Sequence, residues 1–376
     1  MDAGKYFALL RFKEAAVALR AALRLGIVEE MGERKLTLSE FREQFGFTEQ
    51  GARTYVALLE VLEILEGSRG VYSISPRAKE TLADDLPTSR KPYLEMGSGD
   101  DIDQLIEMLR GNFASESLPL YGDETVEKTM MDVPDVAREI ALGLSSRARN
   151  FAAPLAAAIT PHATKARIIA DLGAGSPYVG LACLEAMPHL EKVTLVDRPN
   201  GMQFVRELAD RAIENNADIA NLAQLGKLEY CEQDFFQSVP GADIYCLSNT
   251  AHDWVPDEYT QIITNLRDSI APGGVVCIHE PLLLNMWNNS DQWIKALWMA
   301  CYALALFKLT EGKGTSYTRD EHRGVMESCG FAMVGDAVET QDGCTALFFQ
   351  LTSDVRERAR EAEHHQLQSA PQTSTR

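Results

Sequence analysis

Apolar positions in the first 95 residues recur at helical spacing, interrupted by one short stretch of alternation. From Glu14 to Met31 they fall at Ala15, Val17, Leu19, Ala22, Leu23, Leu25, Ile27 and Val28, which predicts an amphipathic helix. Leu36-Thr37-Leu38-Ser39 reads as a short strand running into a cap, with a helix over Ser39 to Phe45. Thr48 caps a further helix through Leu65, apolar at Val56, Leu58, Leu59, Val61, Leu62, Ile64 and Leu65. Gly67-Ser68-Arg69-Gly70 then turns into Val71-Tyr72-Ser73-Ile74 as the strand of a wing. This is the pattern of a winged helix, and residues 1–95 read as one mainly α domain. The helices from Ala15 to Leu25 and Ala52 to Leu65 carry more apolar surface than so small a domain buries alone, which predicts a homodimer.

Residues 96–160 read as a helical connector, with one amphipathic helix over Asp101 to Arg110 and one or two more over Val133 to Ile159. From 166 onward apolar runs alternate with helix-length segments, predicting strands at 168–172, 193–197, 228–231, 243–247, 274–279, 331–335 and 345–351. The implied fold is α/β, a Rossmann-like sheet over 161–353. Its last two strands lack a helix-length insert and predict an antiparallel edge hairpin. From Asp354 the chain starts as a charged helix and ends in Gln-Ser-Ala-Pro-Gln-Thr-Ser-Thr-Arg, so 354–376 is expected to be a disordered polar tail.

The net charge of −19 argues against a nucleic-acid backbone as partner. The helix that would read DNA, Gln50 to Glu66, offers only Arg53 and carries Glu60, Glu63 and Glu66. Packing or dimerisation is therefore the better use of the winged helix. Seven cysteines (183, 231, 246, 277, 301, 329, 344) lie apart, mostly inside apolar runs, as in a reducing compartment. No run of 18 apolar residues occurs and Met1 to Lys5 is not followed by a secretory apolar region, so a cytoplasmic protein without membrane contact is expected.

Ile168-Ile169-Ala170-Asp171-Leu172-Gly173-Ala174-Gly175, followed by Val193-Thr194-Leu195-Val196-Asp197, is a βαβ unit suited to a nucleoside. Gly173 and Gly175 permit a tight turn and close backbone approach, and Asp197 is placed to accept from both ribose hydroxyls. A dinucleotide site wants a third glycine at 178, where this chain has Tyr178 after Pro177. Asp171 opens the turn with a negative charge, poorly matched to pyrophosphate and well matched to the cationic S-adenosylmethionine. His252, in Asn249-Thr250-Ala251-His252-Asp253-Trp254, follows the fourth strand at its carboxyl end and faces the same crevice. With an ordinary pKa near 6.5 it would be mostly neutral at pH 7 and able to take a proton. A capping or core role is the plain alternative.

Residues 166–351, and more loosely 7–95, resemble the caffeic-acid-type O-methyltransferases and their bacterial small-molecule relatives. The matching segments are Asp171-Leu172-Gly173-Ala174-Gly175, Val196-Asp197-Arg198-Pro199, Glu232-Gln233-Asp234-Phe235-Phe236, His252-Asp253-Trp254-Val255-Pro256-Asp257-Glu258 and Ala271-Pro272-Gly273-Gly274-Val275-Val276-Cys277-Ile278-His279-Glu280. The resemblance implies a class I methyltransferase domain behind an intertwined dimerising winged helix. It implies that Gly173 and its neighbours face the donor's methionine moiety, that Asp197 binds ribose, and that Asp234 and Phe235 hold adenine. It further implies His252 as general base, oriented by Glu280.

Three departures stand out. Ser248 occupies a position where that family often has Arg or Lys and makes a donor contact. Ser316, in Gly314-Thr315-Ser316-Tyr317-Thr318, replaces an acid that is a second partner of the base, and Pro177 stiffens the glycine turn. Leu282 to Leu309 holds Trp287, Trp293 and Trp298, with Met286, Met299, Tyr302 and Phe307. Helical spacing puts Ile294, Leu297, Trp298, Cys301, Tyr302 and Ala305 on one stripe, read either as core or as the wall of an aromatic acceptor pocket. Trp298, Met299 and Tyr302 are the substrate candidates, and the 96–160 connector is expected to contribute to that pocket. No metal is expected, because strand alternation points His279 and Glu280 to opposite faces. The reading is a homodimeric S-adenosylmethionine-dependent O-methyltransferase of a small, largely apolar or aromatic hydroxylated metabolite, in keeping with secondary metabolism. C- or N-methyl transfer, a non-methylating relative, and a winged-helix sensor of S-adenosylmethionine are the alternatives.

Overall fold

The computed structural model describes residues 3–83, 91, 100–113, 129–214, 226–284, 293–340 and 343–352. The expected tail 354–376, the boundary at 95–96 and the Met286–Trp287 pair lie outside the described residues.

The N-terminal region begins with α1 (Ala3–Arg24), which starts earlier than the periodicity suggested, and α2 (Ile27–Met31). The expected single helix to Met31 is divided at Gly26, whose φ of 61° turns the chain left-handed. After β1 (Leu36–Thr37), α3 (Leu38–Phe45) is capped by Thr37 and begins one residue before the expected start at Ser39. The reason is a reciprocal capping box: Thr37 accepts from the Glu40 N–H, and the Glu40 carboxylate accepts from the Thr37 N–H at 2.7 Å. Thr48 does cap α4 (Glu49–Val61), accepting from the Gly51 N–H at 3.0 Å. That helix stops short of Leu65, because Glu63 takes a φ of 57° and turns the chain into the hairpin of β2 (Leu65–Ser68) and β3 (Val71–Ile74). Strand β1 joins β3 on its other side. Then come α5 (Pro76–Leu82), α6 (Asp100–Leu109) and one long helix, α7 (Pro134–Ile159), which continues through Pro154.

The remainder alternates as predicted: β4 (Ile168–Leu172), α8 (Tyr178–Ala186), β5 (Lys192–Asp197), α9 (Pro199–Glu214), β6 (Leu228–Glu232), β7 (Ala242–Ser248), α10 (Pro256–Ser269) and β8 (Ile270–Glu280). Helices α11 (Trp293–Leu309) and α12 (Arg319–Ser328) and strands β9 (Phe331–Met333), β10 (Val338–Glu339) and β11 (Thr345–Leu351) complete it. One eight-stranded sheet runs β10-β11-β8-β7-β4-β5-β6, with β9 also on β11. Strands β4 to β8 pair in parallel, whereas β11 is antiparallel to β8, β9 and β10. The antiparallel edge is as expected, although β11 lies inside it and β9 and β10 flank it. One face of the sheet packs α7 and α8 through Phe151, Leu155, Leu184 and Phe348, and the other packs α10 through Tyr259, Ile262 and Leu266.

Helix α11 bears on two expectations. Its Ala296, Leu297, Ala300, Cys301, Leu304 and Phe307 join Ala18, Ala21, Tyr55, Leu58 and Leu59 in one core, so α1 and α4 are covered by their own chain. Lys308 of α11 pairs with Glu14 of α1 at 3.0 Å, and Arg53 of α4 pairs with Glu321 of α12 at 2.6 Å. The surplus apolar surface that pointed to a partner subunit is thus used internally. The stripe on α11 is not one functional face either: Leu297 and Cys301 face this core, while Trp298 and Tyr302 make their ring contacts elsewhere. A helix apolar all round is buried all round. Among the described residues no helix is long and apolar enough to cross a membrane.

Candidate active site

Strand β4 has β5 on one side and β7 on the other, so chain order reverses there and a crevice opens beyond its carboxyl end. Gly173 and Gly175 follow β4 with φ of 66° and 55°. At Gly173 a side chain would also stand 2.9 Å from the Thr250 methyl, so both space and backbone demand glycine. Asp197, at the end of β5, accepts from the Gly175 N–H and the Arg198 N–H, each at 2.8 Å. These two bonds fix its carboxylate in the wall of the crevice. Gly201 lies so close behind Asp197 that a Cβ there would strike the carboxylate.

Asp171 is 2 % exposed, lines the same cavity, and has one oxygen, Oδ2, with no hydrogen-bond partner among the described residues. Burial, then the charge of Asp197, push its carboxyl well above the usual range. An orphaned buried carboxylate oxygen beside a glycine cradle fits a ligand bearing a cationic group. Phe235 and Ser248 line the cavity as well. Asp234 does not: its carboxylate accepts from the Phe236 N–H at 2.9 Å and serves as a turn cap. The expectation that Asp234 faces the ligand thus finds it bonded to its own turn.

His252 sits in the one-turn helix Ala251–Asp253 and is 4 % exposed, one layer behind Thr250, Asp253 and Trp254 of the cavity wall. Its Nδ1 meets Glu280 Oε2 at 2.5 Å, and the other oxygen of Glu280 accepts from the Thr250 and Ala251 N–H groups at 2.9 and 2.8 Å. The carboxylate is therefore immobilised from three directions, and it holds the imidazole in turn. Burial disfavours an imidazolium, but Glu280, Tyr302 and Asp253 outweigh it and raise the His252 pKa to about 10. Burial likewise works against the Glu280 carboxylate, and His252 reverses this to hold its pKa below the ordinary value. The Glu280 carboxylate beside His252 thus favours the protonated imidazole over the neutral form expected from sequence. Asp253, with Oδ1 3.6 Å from His252 Nε2, is raised by burial to about 7 against the pull of His252.

The three substrate candidates lie behind the wall. The Tyr302 ring stands edge-on to His252 at 5.7 Å, Trp298 tilts against Tyr302 at 6.3 Å, and Met299 is fully buried. Gly343 is packed so closely by Trp298 that a Cβ there would lie 2.6 Å from the indole. Helix α7, within the connector expected to contribute to the pocket, lines the cavity through Leu144, Arg147, Ala148 and Phe151, residues that the sequence did not single out. Arg147 donates to the Tyr302 hydroxyl and to Cys344 Sγ, each at 3.1 Å. Its only sequence signal is a basic residue on an amphipathic helix, which reads as a solvent position. Asn249, also in the wall, takes a φ of 55°, a conformation Asn tolerates better than most side chains.

Ser316 is fully buried and its hydroxyl has no partner among the described residues. Its neighbour Thr315 donates its N–H to the His252 carbonyl at 2.9 Å, so the loop braces the histidine backbone. His279 is bonded to Ser248 Oγ through Nδ1 at 2.8 Å and to Thr340 Oγ1 through Nε2 at 3.0 Å, turned away from Glu280. Among the described residues no cluster of His, Cys, Asp or Glu is placed to hold a metal.

Comparison with known proteins gives the arrangement a family. Residues 130–332 match the model of the O-methyltransferase domain, more than half of the chain. A solved O-methyltransferase family 2 protein from Planctomyces limnophilus, in complex with apigenin, superposes with a TM-score of 0.75 at 25 % identity over 94 % of this chain and 97 % of that one. Mouse acetylserotonin O-methyltransferase is 26 % identical over 44 % of this chain, and Ocimum basilicum eugenol O-methyltransferase 31 % identical over 30 %. The matches span only 39 % and 26 % of those two curated relatives. The chain belongs to the O-methyltransferase family, whose enzymes use S-adenosylmethionine.

Proposed function

We propose that this protein methylates a hydroxyl of a small, largely apolar or aromatic metabolite, with S-adenosylmethionine as donor. The observation that carries the reading is the orphaned Asp171 carboxylate with its glycine cradle in the crevice wall, with the His252–Glu280 pair one layer behind that wall. When bound, S-adenosylmethionine supplies a methyl group already activated on a sulfonium, so the chain must chiefly bind and orient. Asp171 would face the donor's cationic end, Asp197 the ribose hydroxyls and Phe235 the adenine ring. His252, once neutral at Nε2, would take the hydroxyl proton while Glu280 holds Nδ1–H and steadies the imidazolium that forms. Trp298 and Tyr302 would shape the acceptor end from behind the wall, with Met299 packed beneath them.

The Glu280 carboxylate, which favours the protonated form of His252, gives a second reading its support: an acceptor that arrives already ionised needs no base. The sensor reading loses ground, because Arg53 is committed to Glu321 and stacks 4.7 Å from the Tyr317 ring. Dimerisation through 1–95 remains in the proposal on the family resemblance alone, and light scattering at twice 41.6 kDa would support it. Among the described residues no disulfide joins the cysteines, in keeping with a cytosolic enzyme of secondary metabolism.

The test is a screen of hydroxylated aromatic acceptors with methyl-labelled donor. Label should appear as a methyl ether in the product. Label on carbon or nitrogen counts against a hydroxyl acceptor, and no transfer to any acceptor by protein that binds S-adenosylhomocysteine counts against catalysis.

A further inference from the structure

Ser248 stands in the wall of the cavity with a histidine directly behind it. Strand pairing sets Asp171 of β4 opposite Cys246 of β7, and Ser248 opposite His279 of β8. Side chains alternate along a strand, so Asp171, Ser248 and His279 share the face of Cys246 and Cys277, which packs α7. Glu280 points to the other face. His279 is fully buried, with the Phe151 ring 4.9 Å from its own. Its Nδ1 lies 2.8 Å from Ser248 Oγ and its Nε2 3.0 Å from Thr340 Oγ1.

The partners of this chain of bonds set its direction. A carbonyl only accepts, and that of Cys344 takes the Thr340 hydroxyl proton at 3.1 Å. With its one proton placed there, Thr340 Oγ1 accepts from His279 Nε2–H. A neutral imidazole carries one N–H, so Nδ1 is left as an acceptor and the Ser248 hydroxyl donates to it. The opposite assignment gives up the Thr340 bond to Cys344. Asn249 Nδ2 donates to the Ser248 oxygen at 3.3 Å, which occupies one of its two lone pairs. Ser248 therefore meets the cavity with a lone pair and no proton. On the same face of the sheet and in the same wall, Asp171 Oδ2 has no hydrogen-bond partner among the described residues, and it too accepts. Two neighbouring acceptors match a protonated amine, which offers three N–H groups and no lone pair.

We infer that His279 is a positioning residue: by taking the Ser248 proton it turns the Ser248 oxygen to accept from the amine of the bound methyl donor, alongside Asp171. This rests on reading the crevice as a methyl-transfer site. It gives Ser248 the part of a hydrogen-bond acceptor and assigns a use to a fully buried histidine outside the His252–Glu280 pair.

The experiment titrates two probes into the full chain by calorimetry: S-adenosylhomocysteine, and its analogue with hydrogen in place of the amine. The readout is the ratio of the two affinities, in which partial unfolding of a variant cancels. Ser248→Ala should lower the ratio about tenfold, the worth of one hydrogen bond to a charged group. His279→Gln, whose amide reaches Thr340 but leaves nothing in the place of Nδ1, should lower it as far. His279→Asn, whose Oδ1 takes the place of Nδ1, should hold it within about twofold. Each histidine variant breaks one of the two bonds, so a merely structural role predicts equal ratios in both, and that result overturns the inference. The double variant Ser248→Ala with His279→Gln should lose no more than Ser248→Ala alone; losses that add in full overturn it as well. So does a ratio unchanged in Ser248→Ala. A second pair, 4-hydroxybenzaldehyde and its methyl ether, should keep its ratio in every variant; a fall there would set Ser248 against the methyl acceptor instead and overturn the assignment to the amine. If the unaltered protein binds no S-adenosylhomocysteine, the methyl-transfer reading fails and this inference with it, whereas binding with an unresponsive ratio overturns this inference alone.

Discussion

The two ends of the crevice are built by different means. The β4–β5 end consists of backbone: two left-handed glycines, a carboxylate clamped by two N–H groups, and glycines that admit no Cβ. The α7 side is walled by the side chains of Leu144, Arg147, Ala148 and Phe151, backed by His252, Glu280 and Tyr302 through side-chain bonds and ring contacts. A site made from backbone tolerates few substitutions and fits one invariant ligand. A site made from long side chains can be retuned residue by residue, which suits a variable acceptor. The difference also separates binding from chemistry.

The largest effect is expected at His252. His252→Ala should lower turnover by about a hundredfold to ten-thousandfold, the usual worth of a positioned base, in a rapid-quench assay with labelled donor. His252→Gln, which retains a donor for the Glu280 carboxylate, checks that the loss is not one of folding. Near-full activity in both variants would move the weight to an acceptor that arrives ionised.

Gly173→Ala should come next. A left-handed alanine costs about 1–2 kcal/mol, and its Cβ would also crowd Thr250. Chemical denaturation should show a loss of at least that size, together with weaker donor binding. An unperturbed variant would mean that the glycine turn is slack.

Glu280→Gln sharpens the comparison through pH. His252 must be neutral to accept a proton, and its pKa is raised to about 10, so kcat/KM should climb as pH rises from 7 toward 10. Removing the carboxylate's charge lowers that pKa, and the rising limb should move to lower pH. The same linkage bears on stability. A raised imidazole pKa stabilises the fold fully below its ordinary value of 6.5 and loses that contribution as pH rises through about 10. Melting temperature should therefore fall across that window in the unaltered protein, and less so in Glu280→Gln. A rising limb at the same pH in both proteins would detach Glu280 from the base.

The smallest effect is expected at Ser316. Its hydroxyl has no partner among the described residues, so Ser316→Ala should change activity by less than about twofold and leave stability equal or slightly higher. A large loss would show that Ser316 takes over the part of the acid it replaces.

What could be read from the sequence follows the same division. Asp171, Gly173, Gly175 and Asp197 sit on consecutive strand ends, so local pattern and the period of two place them together. His252 was placed by its position at the carboxyl end of β7, while Glu280, at the end of the adjacent β8, came only from the family resemblance. The charge state of His252 was not legible, because it depends on burial and on a 2.5 Å contact across 28 residues. Nor was Arg147, which meets Tyr302 and Cys344 at separations of 155 and 197 residues. Asp234 misled because a carboxylate after a strand reads as a ligand whether or not its own turn has claimed it. The covering of α1 and α4 by α11 was hidden too, since an apolar surplus in sequence does not say which surface answers it.

The donor end of the crevice and the proposed acceptor side should be open to damage independently. Calorimetric titration of S-adenosylhomocysteine into the unaltered protein, Asp197→Ala and His252→Ala tests it in one series. Asp197→Ala should weaken binding roughly tenfold to a hundredfold, as expected for lost bonds to a charged group, while His252→Ala stays within about twofold. Equal losses in the two variants, or undiminished binding in Asp197→Ala, would contradict it.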